Sequence, residues 1–147
     1  KSGVSVELTS LGHHLARLPV APRLGKILVL STVFRCVEPC LTIAASLSER
    51  SVFSASYEHR AAMQQAKASL GAKDRSDHIA SVNAFDRWTE IATRDGSAAA
   101  RDYAHKYWLS EPTLRAITGL REQYRRLLAS AGLITNITES SMADGEI

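Results

Sequence analysis

The stretch that decides the fold is residues 8–26, which read LTSLGHHLARLPVAPRLGK. Thr9 is a suitable N-cap for a short helix, because its hydroxyl can accept a hydrogen bond from an amide of the first turn. Leucines follow with helical spacing at positions 11, 15 and 18. Pro19 and Pro22 then fix the backbone torsion φ and exclude a helix between them. We therefore predict a short helix, a rigid extended elbow, and a second helix from about residue 23 to residue 35.

The rest of the chain predicts helices in almost every segment. Residues 23–35 carry apolar side chains on nearly all sides, as does a helix in the middle of a bundle. Further helices are expected over about 39–47, 57–70, 76–94, 97–107 and 110–131, with Ser76 and Ser110 as N-caps and Gly132 after the last one. A strand-like alternation occurs only in residues 4–8. The fold class is therefore mainly α, with at most a small β element at the N-terminus.

Composition and charge narrow the class of protein. The chain has 147 residues, 45% of them hydrophobic, which is enough for a packed core and excludes disorder as the default. Residues 1–134 carry 18 basic and 12 acidic side chains, a surplus of +6 that permits a polyanionic partner. Two cysteines are too few for a disulfide framework, so we expect an intracellular, reducing compartment. No apolar run reaches the ~20 residues of a bilayer span, so no membrane partner is expected.

Motifs for catalysis and metal binding are missing from the sequence. Gly25 and Lys26 are followed by Ile27, so this stretch lacks the Ser or Thr and the spaced upstream glycine of a phosphate-binding loop. Cys36 and Cys40 are spaced like neighbours on one helix, and we expect them to pack as small hydrophobic side chains rather than bind zinc. We therefore predict no catalytic residue, no metal site and no cofactor in this chain. Because it begins at Lys1, we also expect it to be part of a longer protein.

The polar residues suited to holding a nucleic-acid strand cluster at one predicted helix start. Arg75, Ser76, Asp77 and His78 lie where free backbone amides and the helix dipole attract phosphate. The alternative is that Ser76 and Asp77 only cap the helix while Arg75 pairs with an acid. Asn83, two turns later, can bond a base or sugar, or equally a backbone carbonyl. The residue types alone leave both interpretations open.

Two further groups of side chains also allow two interpretations. Trp88 and Trp108 could stack on bases, but their spacing beside other aromatic residues favours packing in the core. The last predicted helix is rich in arginine, which most often indicates a solvated face and occasionally a row of phosphate contacts. These arginines are Arg115, Arg121, Arg125 and Arg126.

Four segments together resemble the helicase-associated region of DEAH-box RNA helicases. Residues 8–26 are similar to the family pattern L-T-x-L-G-x-x-L-A-x-L-P-V-D-P-R-L-G-K, and residues 38–48 to D-P-x-L-T-I-A-A-x-L-S. Residues 75–88 match R-S-D-H-x-x-x-x-N-A-(F/Y)-x-x-W, and residues 107–114 resemble N-F-L-S-x-x-T-L. One departure is Ala21, where the family usually has Asp, so an ion pair of that Asp with Arg23 or with a motor domain would be absent.

The resemblance implies a fold and a division into domains. It implies a degenerate winged-helix portion over residues 1–52, a ratchet-like helical bundle over 53–134, and a polar tail over 135–147. The fold class expected on this basis is mainly α, a partial winged helix followed by a helical bundle.

The resemblance also implies a function for the parent protein. It implies an accessory module of an ATP-dependent 3′–5′ RNA helicase, in which ATP and Mg are bound by the parent and RecA-like motor domains and an OB-fold lie beside the module. Single-stranded or structured RNA, including G-quadruplexes, is the implied partner. The matching RNA-channel positions are Arg75, Ser76, Asp77, His78 and Asn83, and Arg23 and Lys26 are candidates for packing on the motor domains. The alternative is a helical docking domain of a large ribonucleoprotein that does not bind RNA.

Overall fold

The described part of the chain is a bundle of α-helices. The computed structural model describes residues 7, 9–16, 18–71 and 76–135. Seven α-helices lie in these ranges: α1 (Ser10–Ala16), α2 (Pro22–Val33), α3 (Val37–Ser48), α4 (Arg60–Gly71), α5 (Asp77–Arg94), α6 (Ser97–Lys106) and α7 (Glu111–Ser130), with a 3-10 turn at Tyr57–His59 before α4. The mainly α class is confirmed. Apart from Glu7 and Thr135, the predicted N-terminal strand and the predicted tail lie outside the described residues.

The helix starts follow local capping chemistry. The Oγ1 of Thr9 accepts a hydrogen bond from the amide of Gly12 at 3.1 Å. Ser76 and Ser110 cap α5 and α7 in the same way, each accepting at 3.4 Å from the amide three residues later. The prediction is confirmed at all three positions. The start of α3 differs, because this helix begins at Val37, two residues before Pro39. Proline is tolerated there, since amides of a first turn have no helical acceptor.

Three helices end in the same left-handed turn. After α2, α6 and α7 the residues in this conformation are Arg35 (φ 54°), Trp108 (φ 57°) and Gly132 (φ 71°). In each case the amide of the following residue bonds back into the last helical turn, as from Cys36 to the Ser31 carbonyl at 2.9 Å. Only the glycine was predicted. Residues other than glycine are destabilised in this left-handed conformation. Tertiary contacts must therefore stabilise Trp108, whose indole ring stacks on the His59 ring with the ring centres 4.7 Å apart.

A single hydrophobic core runs through the bundle. Leu28 and Leu41, from α2 and α3, are completely buried, as are Leu114, Ile117 and Leu128 of α7. α3 packs against both α5 and α7. The core therefore crosses residue 52, where the resemblance places a domain boundary. That boundary and the winged-helix character of the first part stay predictions.

Candidate nucleic-acid interface

The corner between α4 and α5 carries the cluster selected from the sequence. Gly71 ends α4 against the start of α5, and a β-carbon on Gly71 would lie 3.3 Å from the carbonyl oxygen of Ser76. This contact is tight for a side chain, so glycine suits the position. The Ser76 hydroxyl accepts a hydrogen bond from the amide of Ile79. Helical geometry leaves the amides of Asp77 and His78 without helical acceptors, and the positive end of the α5 dipole lies here.

Asp77 forms a salt bridge that keeps the side chain of Lys67 beside the start of α5. Its carboxylate lies 2.7 Å from the Nζ of Lys67 on α4. Lys67 is also 5.8 Å from the centre of the Phe53 ring, and its side chain is only 20% exposed. Asp77 is 76% exposed, so solvent weakens the pair and it adds little to stability. Its effect is to hold the ammonium group of Lys67 at the α4–α5 corner.

The other residues predicted to contact RNA differ in their exposure and in their hydrogen bonds. His78 is exposed in the first turn of α5. Arg75 lies outside the described residues. The Nδ2 of Asn83 donates a hydrogen bond to the carbonyl of Leu70 at 2.7 Å, which is the backbone-carbonyl alternative left open by the sequence. The structure thus brings Ser76, Asp77 and His78 together, and uses Asn83 to tie α5 to the end of α4.

The two residues predicted to pack on motor domains lie at the start of α2. Arg23 and Lys26 are exposed there, and their role stays a prediction. Ala21 is the N-cap residue of this helix and offers no side-chain hydrogen bond. Aspartate at an N-cap accepts such a bond. The departure from the family pattern therefore removes a helix cap, a consequence that the sequence alone did not show.

The arginines of α7 are held by acidic side chains. Arg121 and Arg125 approach the carboxylate of Glu38 on α3, at 2.7 Å and 2.6 Å. Arg121 also donates to the Glu38 carbonyl and to Thr42, and its guanidinium lies 4.9 Å from the centre of the Phe85 ring. Arg115 and Arg126 pair with Glu111 and Glu122 of their own helix. Arg121 and Arg125 therefore join α7 to α3. No sequence signal indicated this cluster, because Glu38 lies 83 and 87 residues before Arg121 and Arg125 along the chain.

Burial shifts the ionisation of two groups near this cluster. It lowers the pKa of the Arg121 guanidinium, against the opposing effect of Glu38 and Asp86. It raises the pKa of the Asp86 carboxyl, and this effect outweighs the attraction of Arg121.

The two tryptophans contact protein groups. Trp88 packs on the core with its ring centre 6.3 Å from that of Phe85, and its buried Nε1 has no hydrogen-bond partner within the described ranges. Trp108 is half-buried against His59. The core interpretation is confirmed for Trp88.

The described residues contain no group of three or more His, Cys, Asp or Glu side chains placed to hold a metal ion. Cys36 and Cys40 are free thiols. Among the helices that the structure describes, none combines the length and apolar character that crossing a membrane requires.

Comparison with known proteins decides the family. Residues 21–81 match the family described as helicase associated domain (HA2), ratchet-like. The chain is 40% identical over 130 residues to the ATP-dependent DNA/RNA helicase DHX36 of Homo sapiens, covering 88% of the chain and 13% of the relative. Residues 21–81 belong to the helicase-associated, ratchet-like family, and the chain as a whole is similar to this region of DEAH-box helicases.

Two further relatives agree with this assignment of the helicase-associated region. The ATP-dependent RNA helicase DHX30 of Gallus gallus is 39% identical over 135 residues, which are 92% of the chain and 11% of the relative. The DExH-box ATP-dependent RNA helicase DExH3 of Arabidopsis thaliana is 37% identical over 130 residues, which are 88% of the chain and 11% of the relative. The chain thus spans about a tenth of the length of these relatives. It is an accessory module of the helicase type, and the resemblance inferred from its sequence is confirmed.

Proposed function

We propose that this module helps to form the single-stranded RNA channel of a parent ATP-dependent DEAH-box helicase. In this role it couples the motion of RecA-like motor domains, which bind ATP and Mg, to 3′–5′ translocation. The observation that carries the proposal is the start of α5, where Ser76 caps the helix, His78 is exposed and Asp77 holds Lys67 alongside. Structured RNA, including G-quadruplexes, an adjoining OB-fold, and the packing of Arg23 and Lys26 on the motor domains belong to the same proposal through the family resemblance.

The chemistry of the corner suits a phosphate of the strand. First-turn amides of α5 and the positive end of its dipole attract an anion, and Lys67 adds a positive charge nearby. The carboxylate of Asp77 would repel a phosphate, so its role is to position Lys67 rather than to bind RNA. Contacts to the sugar-phosphate backbone carry little sequence information, and their affinity falls as salt rises. A strand held in this way can move through the channel in any sequence.

Contacts at this corner also couple the position of α5 to that of α4. Gly71 lies directly against Ser76, and Asn83 bonds the carbonyl of Leu70. α4 and α5 therefore move together, and a displacement of the bundle by the motor domains would carry the RNA contacts with it.

A matched pair of histidine variants tests this assignment in the full-length protein. We expect His78→Ala to weaken binding of a single-stranded oligouridylate by about threefold or more at low salt, and to slow unwinding, because it removes a side chain beside the phosphate site. His105→Ala is the control, since His105 is exposed in the last turn of α6, at the negative end of a helix. Equal binding by the two variants would show that RNA does not pass the start of α5.

The second candidate function is a docking module that does not bind RNA. It is favoured by the internal contacts of Asp77 and Asn83, which are the contacts of a structural element. Hydrogen–deuterium exchange with and without single-stranded RNA separates the two. Protection of residues 75–83 by RNA supports the channel role, whereas exchange that RNA leaves unchanged throughout the module supports docking alone.

A further inference from the structure

Two thiols lie next to each other at the start of α3. The Sγ atoms of Cys36 and Cys40 are 3.7 Å apart, within hydrogen-bonding distance for sulfur. Both residues are half-buried and neither is in a disulfide. We propose that Cys36 and Cys40 form a site of reversible oxidation, at which a peroxide converts the two thiols into an intrachain disulfide. This inference does not rest on the proposed RNA-binding function.

The backbone at this position allows the bond to form. A disulfide requires an S–S distance of about 2.05 Å and Cα atoms within about 4.4–6.8 Å of each other. The amide of Cys40 donates to the carbonyl of Cys36 at 3.3 Å, so the first helical hydrogen bond spans the two residues. Four residues of helix rise by about 6 Å, which is compatible with the Cα condition. Cys36 is the N-cap residue, with φ −123° and ψ 43°, and lies outside the helix. Its sulfur can therefore close the gap to Cys40 without breaking the helical turns that follow.

The two thiols have different roles in the reaction. Burial first, and then the hydrogen bond and the charge of Cys36, raise the pKa of Cys40 to about 11. Cys40 therefore keeps its proton at neutral pH and can donate it to the sulfur of Cys36. Because the thiolate is the reactive form of cysteine, Cys40 is disfavoured as the attacking thiol, and the proposal assigns the attack on the oxidant to Cys36.

The proposed steps balance with peroxide as the oxidant. The Cys36 thiolate attacks one oxygen of hydrogen peroxide, the O–O bond breaks, and Cys36 becomes a sulfenic acid while the released hydroxide takes up a proton to give water. The Cys40 sulfur then attacks the Cys36 sulfur, the S–S bond forms and the S–O bond breaks. The second hydroxide leaves with the Cys40 proton as another water. Overall, two thiols and one peroxide give one disulfide and two waters.

The location of the thiol pair connects oxidation to the contact between α3 and α7. Cys36 directly precedes Val37 and Glu38, and the Glu38 carboxylate holds Arg121 and Arg125. Val37 and Glu38 also line a cavity of about 340 Å³ together with Arg125, Ile134 and Thr135. A disulfide that repositions Cys36 therefore acts on the residues that join the first part of the chain to its last helix.

Peptide mapping of the peroxide-treated chain tests the site directly. We expect a peptide containing both cysteines to lose the mass of two hydrogen atoms and to regain it after treatment with dithiothreitol. Sulfinic or sulfonic acid on separate cysteines, or a disulfide between two copies of the chain, formed without this intrachain product would overturn the proposal.

Two single variants test the order of the steps. In Cys40→Ser, dimedone should trap a sulfenic acid on Cys36, because no second thiol is present to resolve it. In Cys36→Ser, labelling of Cys40 should be about tenfold slower or more, because burial still disfavours its thiolate. Equal labelling rates would overturn the assignment of Cys36 as the attacking thiol.

A comparison in denaturant tests whether the fold creates the site. We expect disulfide formation to be about tenfold slower in the urea-unfolded chain, because the two sulfurs are no longer held together. An unfolded chain that oxidises as fast as the folded one would show that the bundle contributes nothing, and would contradict the proposal.

Discussion

Asn83 joins two helices through one hydrogen bond, from its Nδ2 to the carbonyl of Leu70. That carbonyl belongs to the last turn of α4, whose carbonyl groups lack partners within the helix. The capping roles of Ser76 and Ser110 could be predicted from the sequence, because an N-cap bonds an amide only three residues away. The partner of Asn83 could not, because it depends on how α4 packs against α5.

Replacing Asn83 should therefore cost stability. We expect Asn83→Ala to lower the free energy of unfolding by about 1 kcal/mol, the usual value of one hydrogen bond. Urea titration of the chain measures this change. Gln64→Ala, on an exposed face of α4, is the control and should stay within about 0.5 kcal/mol of the parent chain. An Asn83→Ala chain as stable as the control would show that the bond to Leu70 contributes nothing.

Partial burial of Asp86 predicts how the stability of the bundle changes with pH. Burial raises its pKa, so the folded state favours the protonated carboxyl. The stabilisation from this preference is fully present below the pKa of Asp86 in the unfolded chain, near 3.8. It is lost as the pH rises through the higher pKa of Asp86 in the folded state. We expect Asp86→Asn to be more stable than the parent chain at pH 7, with the difference fading toward pH 3.8. Thermal unfolding across this pH range measures it.

Asp95 is the matched comparison for Asp86. Its pKa is lowered, first by the hydrogen bond from Arg94, so its charged form is favoured in the folded state. This stability is present above the unfolded pKa and is lost as the pH falls through the folded value. Asp95→Asn should therefore be slightly less stable than the parent chain at pH 7. A change of the same sign in both variants would contradict this electrostatic account.

At the scale of elements, helix starts and ends differ in how far they can be predicted. The spans of α5, α6 and α7 were predicted within one or two residues, because their serine caps and glycine breaks are local signals. The left-handed turns at Arg35 and Trp108 were missed, because neither residue type favours that conformation. For Trp108 the deciding contacts come from other segments: its ring stacks on His59, and its carbonyl accepts a hydrogen bond from the amide of Ser54 at 2.9 Å.

The uncapped start of α2 leads to a stabilising substitution. We expect Ala21→Asp to raise the free energy of unfolding by about 1 kcal/mol, because the carboxylate would accept a first-turn amide and complement the helix dipole. The control is Ala68→Asp, on an exposed face of α4, where aspartate should destabilise the helix by about 0.5 kcal/mol. Urea titration compares the two. Destabilisation by both variants would show that residue 21 does not act as an N-cap.

At the scale of the whole molecule, the packing of the bundle could be predicted only in part. The helical spacing of apolar residues in α7 agrees with its buried face, which includes Leu114, Ile117 and Leu128. It could not pair Glu38 with Arg121 and Arg125, because complementary charges far apart in the chain carry no information about which ones meet. The residues proposed to contact RNA came from the family pattern, whereas the ion pair of Lys67 with Asp77 was indicated by no motif.

The shared core predicts that the two parts of the chain depend on each other. We expect fragments 1–52 and 53–147 to lack stable helical structure when separated, and the intact chain to unfold in one transition. The reason is that Leu28 and Leu41 would be separated from the part of the shared core that α5 and α7 contribute, and each exposed leucine costs about 2 kcal/mol or more. Circular dichroism of each fragment measures this. Cooperative unfolding of 53–147 alone would instead support an independent domain after residue 52.

The pairing of Phe53 with Leu109 constrains how this family can vary in length. Two backbone hydrogen bonds join the segments, from Ser54 to Trp108 and from Ser110 to Val52, at 2.9 Å and 2.8 Å. An inserted or deleted residue in either segment would shift this register and move the start of α7. Length differences among related proteins should therefore avoid residues 52–54 and 108–110.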